Sequence, residues 1–294
     1  MQDMAGTSGG PTGLARRGRR LSDRETGQRM LDAAVAMVNR TGLTVSLDHI
    51  SFEEVIRDAG VSRSAVYRRW PHKDLFFGDL VKELARTATP DIEQAELELI
   101  RQVVNEHLDW TRTPELRRML LMELIQRLAL FDFQALYGSA QWRTYVALHA
   151  TFLSLADGEL REEVGAALAQ SEREHLARVA AAWELLSGLF GYRLRPELGA
   201  SFETLAMLLD ATMRGLVVMA LSMAEVTSYR AGGNPPGAAG PGGWSLAALG
   251  GVSLADTFLE PDPAAEWDDE RVATLTRVLA EGILPADRGS PGRD

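Results

Sequence analysis

The chain has 294 residues, 46% of them apolar, with 31 Lys/Arg against 41 Asp/Glu and a formal net charge of −10. That length can bury a sizeable core and suits one small plus one larger domain, while the lack of cysteine excludes disulfides, thiolate metal sites and cysteine nucleophiles. The five histidines, at 49, 72, 107, 149 and 175, form no close pair with metal-ligand spacing, and no run reaches the ~18 apolar residues of a membrane span, so neither a metal nor a membrane is an expected partner.

Residues 1–21 are rich in Gly, Ser and Thr, turn basic at Arg16, Arg17, Arg19 and Arg20, and have no periodic apolar pattern. A disordered arm is expected, able to reach a minor groove or lie along phosphates. No apolar segment follows those arginines, so the arm does not read as a secretory signal and a cytoplasmic location is expected. Ser22 then caps a helix to about Arg40, striped by Met30, Leu31, Ala34, Val35 and Val38 and stopped by Gly42.

The stretch from Ser51 to Trp70 has two short helices in it. Phe52, Val55, Ile56 and Ala59 recur at i, i+3, i+4 and i+7 behind the cap Ser51, and Gly60 stands where a left-handed residue should end the helix. Ser62 caps the second helix, whose Val66 and Trp70 can meet the first at a steep angle. At 100° per residue Ser64, Tyr67 and Arg68 point the other way, with Arg63 on the first turn. Arginine can bond guanine edges, and Ser, Tyr and Arg can hold phosphates, so this outer face is a candidate DNA reader. Pro71 ends the helix, and Lys73 opens a fourth one carrying Leu75, Phe76, Leu80 and Leu84.

The run from Ser51 through Ala59-Gly60-Val61-Ser62, Tyr67, Trp70 and Pro71-His72-Lys73-Asp74 resembles the DNA-binding domain of the TetR family of bacterial transcriptional regulators. The resemblance implies an all-α fold: a three-helix helix-turn-helix domain over 22–88, a fourth helix joining it to a larger effector-binding and dimerisation domain over 89–294, and a phosphate contact at Lys73. Two features depart from it. The link from Gly42 to Ser51 is long, and Glu53-Glu54 place acid near the start of the second helix, where it would repel phosphate. Charge is also divided: residues 1–88 carry 14 Lys/Arg and 11 Asp/Glu, and residues 89–294 carry 17 and 30, so only the N-terminal part can approach DNA favourably.

Beyond Pro90 the chain reads as helices over about 91–111, 114–137, 139–156, 159–191, 201–229 and 268–284, without a convincing strand. No nucleophile elbow, phosphate loop or dinucleotide fingerprint appears there, and neither an enzyme nor a cofactor is expected. Aromatic and soft residues on the middle helices, Trp110, Met119, Met122, Phe131, Trp142, Tyr145, His149 and Phe152, are candidate walls of a pocket for a small-molecule effector. Two helices mix small and large apolar residues. Trp183, Gly188 and Phe190 on one, and Leu208, Gly215 and Met219 on the other, are candidate dimer contacts, since helices apolar on more than one face need a second partner. By the resemblance, such a pair forms a four-helix bundle in a homodimer.

Residues 230–265 begin with a Gly/Pro/Ala tract and are expected to be a flexible insertion, with a weakly patterned stretch after Trp244 able to dock on the body or cover a pocket. A last amphipathic helix through Val272, Leu275, Val278, Leu279 and Ile283 closes the domain. The expectation is thus a homodimeric regulator of transcription, a repressor released from a palindromic operator by a small molecule. The alternatives are a helical small-molecule-binding protein, or a dimeric scaffold, that no longer reads DNA.

Overall fold

A computed structural model describes residues 21–42, 50–86, 93–239 and 242–281. The four arm arginines, the link at 43–49 and Ile283 lie outside the described residues. Twelve α-helices and one two-stranded sheet of three-residue strands make up the regular structure among those residues, and the fold is all-α.

Ser22 opens α1 (Asp23–Thr41) with a capping box: its hydroxyl accepts from Glu25 N, and the Glu25 carboxylate accepts from Ser22 N at 2.7 Å. α2 (Phe52–Ala59) buries Phe52, Val55 and Ile56, and Gly60 ends it at φ 63°, a conformation that a side chain would strain. Ser62 then caps α3 (Arg63–Arg69), and α4 (Lys73–Arg86) follows. Val66 and Trp70 are sealed in the core with Phe76 and Leu80 of α4, and Phe76 packs at 5.0 Å from the Phe52 ring and 5.1 Å from the Trp70 ring. These apolar surfaces, rather than helix propensity, hold segments as short as seven and eight residues helical.

α5 (Glu93–Glu106), α6 (Pro114–Gly138), α7 (Ala140–Ser154) and α8 (Glu159–Leu189) follow. α4 packs on α1, α7 and α8, so one continuous core runs from the first helices into the larger part. The chain turns at Gly191 into β1 (Tyr192–Leu194), and α9 (Phe202–Ala220) runs back along α8. The single helix expected over 201–229 breaks after Ala220; α10 (Ala224–Ser228) sets off anew and turns Val226 inward.

The stretch read as a flexible insertion departs most from expectation. Within 230–265, α11 (Leu246–Phe258) buries Ala247, Ala248, Val252, Ala255 and Phe258 against α6 and α9. Arg118 of α6 ties it down through Asp256, at 2.9 and 3.1 Å to the two carboxylate oxygens. β2 (Leu259–Pro261) then pairs antiparallel with β1, Arg193 opposite Glu260, a strand pair the sequence reading lacked. Three residues per strand, 67 positions apart at Arg193 and Glu260, leave no alternation to detect. α12 (Asp269–Glu281) seats Leu275 in the core beside α5.

Candidate nucleic-acid interface and ligand cavity

The outer face of α3 is the first candidate. Ser62, Arg63, Ser64, Tyr67 and Arg68 are all exposed while Val66, on the opposite side of the same two turns, is fully buried. Ser62 accepts from Ala65 N at 3.3 Å and so fixes the start of the helix. Beside this face lies a concavity of about 430 Å³ bounded by Ser51, Tyr67, Lys73 and by Glu53 and Asp74, which brings the predicted phosphate ligands of three helices to one place. Its floor is the N-terminal end of α2, where Ser51 accepts from Glu54 N at 3.3 Å.

This face is not bare of acid. Glu53 reaches across from α2: its Oε2 is 2.7 Å from Arg63 Nη2, and its Oε1 accepts from the Tyr67 hydroxyl at 2.9 Å. That bond raises the Tyr67 hydroxyl above its ordinary pKa. Arg68 is paired with Asp23 on α1. The two arginines are nonetheless 73% and 55% exposed, so solvent competes for both pairs.

Behind α3 the buried Trp70 donates from Nε1 to Asp79 Oδ2 at 2.9 Å. Asp79 bonds Lys82 at 2.8 Å, and Lys82 reaches Glu163 on α8 at 2.9 Å. Burial acts to raise the Asp79 carboxyl, but the bonds from Lys82 and Trp70 outweigh it and hold it below the ordinary carboxylate range. A polar chain thus runs from the end of α3 through α4 to α8.

The second candidate is a cavity of about 250 Å³ enclosed by α5, α6, α7, α8, α9 and α11. Its walls are mostly apolar: Ile100, Leu121, Leu124, Leu128, Val179, Trp183, Leu186 and Met213 among them, with Ala247 and Gly251 of α11 closing one side. On one wall Arg214 is balanced by two carboxylates, with Nη1 2.8 Å from Glu172 Oε2 and Nε 2.7 Å from Asp210 Oδ2, and Asp210 also bonds His175 at 3.2 Å. The Tyr145 hydroxyl joins this cluster, donating to Glu172 at 2.7 Å and accepting from Arg214. Burial raises its pKa far above the ordinary value against the pull of Arg214. On another wall, Asp132 of α6 is bonded to Glu96 of α5, and its Oδ1 is sealed from solvent with no partner. Nε1 of Trp142, another lining residue, is equally buried without one.

Of the eight residues expected to line an effector pocket, Trp142 does so, and Tyr145 stacks on it from behind at 4.8 Å. The others are not on this wall. Met122 is fully in the core, Trp110 stacks on His107 at 4.1 Å, and Phe152 lies under the Arg161 guanidinium. His149 Nδ1 donates to the Tyr145 carbonyl at 3.0 Å, and Met119 and Phe131 are half-buried elsewhere. The polar lining, Glu96, Asp132, His175, Asp210 and Arg214, was missed. A signal existed in charges inside otherwise apolar helical runs, as in Phe131-Asp132-Phe133 and in Asp210 and Arg214 within the apolar run 205–223.

The expected dimer residues divide in two. Phe190 is 1% exposed and Trp183 faces the cavity, so both serve the subunit's own interior. Small and charged residues instead hold the outside of α8, including Ala177, Glu184 and Gly188. On α9, Met207, Leu208, Ala211, Gly215, Val218 and Met219 form an exposed stripe, continued by Leu221 and Met223. No helix among the described residues is long and apolar enough to cross a membrane, and no group of His, Asp and Glu there could hold a metal ion.

No protein-family model matches the chain, and no curated protein sequence does. Among solved structures, the full-length native TylP, a TetR regulator from Streptomyces fradiae, is similar over 88% of this chain and 91% of its own, at 16% identity and a TM-score of 0.36. That likeness is too distant to bear on either site.

Proposed function

We propose that the chain is a homodimeric regulator of transcription, in which residues 22–88 bind DNA, residues 89–294 dimerise and take up a small-molecule effector, and the basic arm 1–21 adds phosphate contacts. The observation that carries this reading is the two-sidedness of α3: Val66 and Trp70 anchor it in the core, and the opposite side offers Ser62, Arg63, Ser64, Tyr67 and Arg68 to a groove. A second copy docked on the exposed α9 stripe would present two such helices one helical turn apart, which calls for an inverted-repeat operator. An effector in the cavity bears on α8, and the Glu163–Lys82–Asp79–Trp70 chain gives α8 a polar connection to α3. Coupling of ~1–3 kcal/mol along such a route suffices to release a repressor from its site.

Arg63→Ala and Arg68→Ala are each expected to lower affinity for an enriched DNA fragment by ~1–3 kcal/mol if they bond base edges, or to weaken all sequences alike if they bond phosphate. Titration against specific and scrambled duplexes distinguishes the two. Unchanged affinity in both variants would remove α3 from the role of reader.

A second reading has one specific observation in its favour. Glu53 and Asp23 already occupy Arg63, Tyr67 and Arg68, as suits a helical small-molecule-binding protein with no use for DNA. Glu53→Gln separates the readings. In a DNA binder the phosphate must displace Glu53, so the variant should bind every duplex tighter by about fivefold or less, as befits an exposed pair. In the second reading neither protein binds DNA in a gel-shift titration.

A further inference from the structure

We infer that the cavity takes an apolar small molecule carrying a protonated amine, with the Asp132–Glu96 carboxyl pair as its counter-charge. This deepens the effector reading above and rests on it only for the consequence on DNA; the ligand chemistry can be tested alone.

The argument is one of unmet bonding capacity. Asp132 lines this space, and its Oδ1, packed out of reach of water, accepts no hydrogen bond. A buried acceptor left this way costs free energy that a donor on a ligand would recover. The cations on the walls do not offer the converse to an anion. Arg214 is already held by Glu172 and Asp210, and Arg178 is exposed and itself engaged. Among the charged groups that face the space, α5 supplies Glu96, α6 Asp132, α8 His175 and Arg178, and α9 Asp210 and Arg214; the α7 and α11 lining is uncharged. Once Asp132 has given up its proton, the three carboxylates of Glu96, Asp132 and Asp210 outnumber the two guanidinium groups, so the space in that state favours a cation. The remaining walls, with Trp183, Leu124, Leu128 and Met213, suit a ring system of modest size.

The pair also predicts a proton count. Burial, and then the charge and bond of Glu96, push the Asp132 carboxyl well above its ordinary pKa, so the empty site keeps a proton that a bound ammonium would expel. A group whose pKa is high in the empty state and lowered by the ligand gives affinity that rises with pH, until the amine itself deprotonates.

The test uses three probes of one shape: 1-naphthylmethylamine, 1-naphthylmethanol and 1-naphthoate, titrated calorimetrically into the full chain in two buffers of different ionisation enthalpy. The amine is expected to bind at least tenfold tighter than the alcohol and the carboxylate, and to release a proton on binding. Asp132→Asn, nearly isosteric, should remove both the preference and the proton release while still binding the alcohol. Glu96→Gln should reduce both, and it stands in if the first variant fails to fold. Equal binding of the three probes, a preference for naphthoate, or an amine preference that survives in both variants would overturn the inference. Amine binding that depends on Asp132 but leaves DNA affinity unchanged would uphold the ligand class and count against the regulator reading. Release of DNA by a neutral or anionic compound instead would uphold the regulator and sink the ligand class.

Discussion

Gly215→Arg is expected to yield a folded monomer whose affinity for its DNA site is lower by roughly two to three powers of ten. Gly215 lies in the exposed stripe of α9, and a Cβ added there meets nothing within 4 Å, so the free subunit accommodates the new side chain without repacking. In a dimer built on Met207, Leu208, Ala211, Val218 and Met219, the guanidinium would be buried in an apolar seam with no partner. An unpaired buried charge costs ~3–5 kcal/mol, which is the basis of the factor above. Sedimentation and gel-shift titration read the two effects, and an unchanged far-ultraviolet circular dichroism spectrum shows that the fold is intact. A variant that remains dimeric with full DNA affinity places the interface elsewhere.

Trp244→Ala is expected to destabilise the protein by ~3–5 kcal/mol, measured as a shift in the urea midpoint. Trp244 is 1% exposed, and its Nε1 donates to Asn234 Oδ1 at 3.2 Å, so truncation opens a large void and removes that bond. It also stands directly before α11, which forms one side of the cavity. If residues 230–265 were a detachable insertion, the midpoint would not move.

The parts of the fold that could be read from the sequence are those set by local chemistry. Ser22, Ser51 and Ser62 each bond the backbone N–H three residues on, and Gly60 takes the left-handed turn that its position between two short periodic runs required. The α3 face follows from helical geometry alone. Helix α11 was lost because its Gly250-Gly251 pair, next to a Gly/Pro tract, resembles a helix breaker. In the fold these glycines are what close packing demands: a Cβ at 250 would lie 2.8 Å from Thr212 Cγ2, and one at 251 would lie 3.0 Å from Ile125 Cγ2. The cavity escaped for a related reason. Which faces of six helices converge is decided by packing, so Trp142 was found for its size, whereas Asp132 and Arg214 became meaningful only once their surroundings were apolar. The Glu53–Arg63 pair crosses a turn between helices; the acid was legible, its partner was not.

The central claim, that α3 in two copies reads DNA, is tested most directly by selecting fragments from a random duplex pool with the purified full-length chain. The account predicts enrichment of an inverted repeat whose half-sites are centred about 34 Å apart, one turn of the double helix, and loss of that enrichment when Arg63 and Arg68 are both replaced by Ala. A selected pool no different from the input, or a motif enriched equally by the double variant, would contradict it.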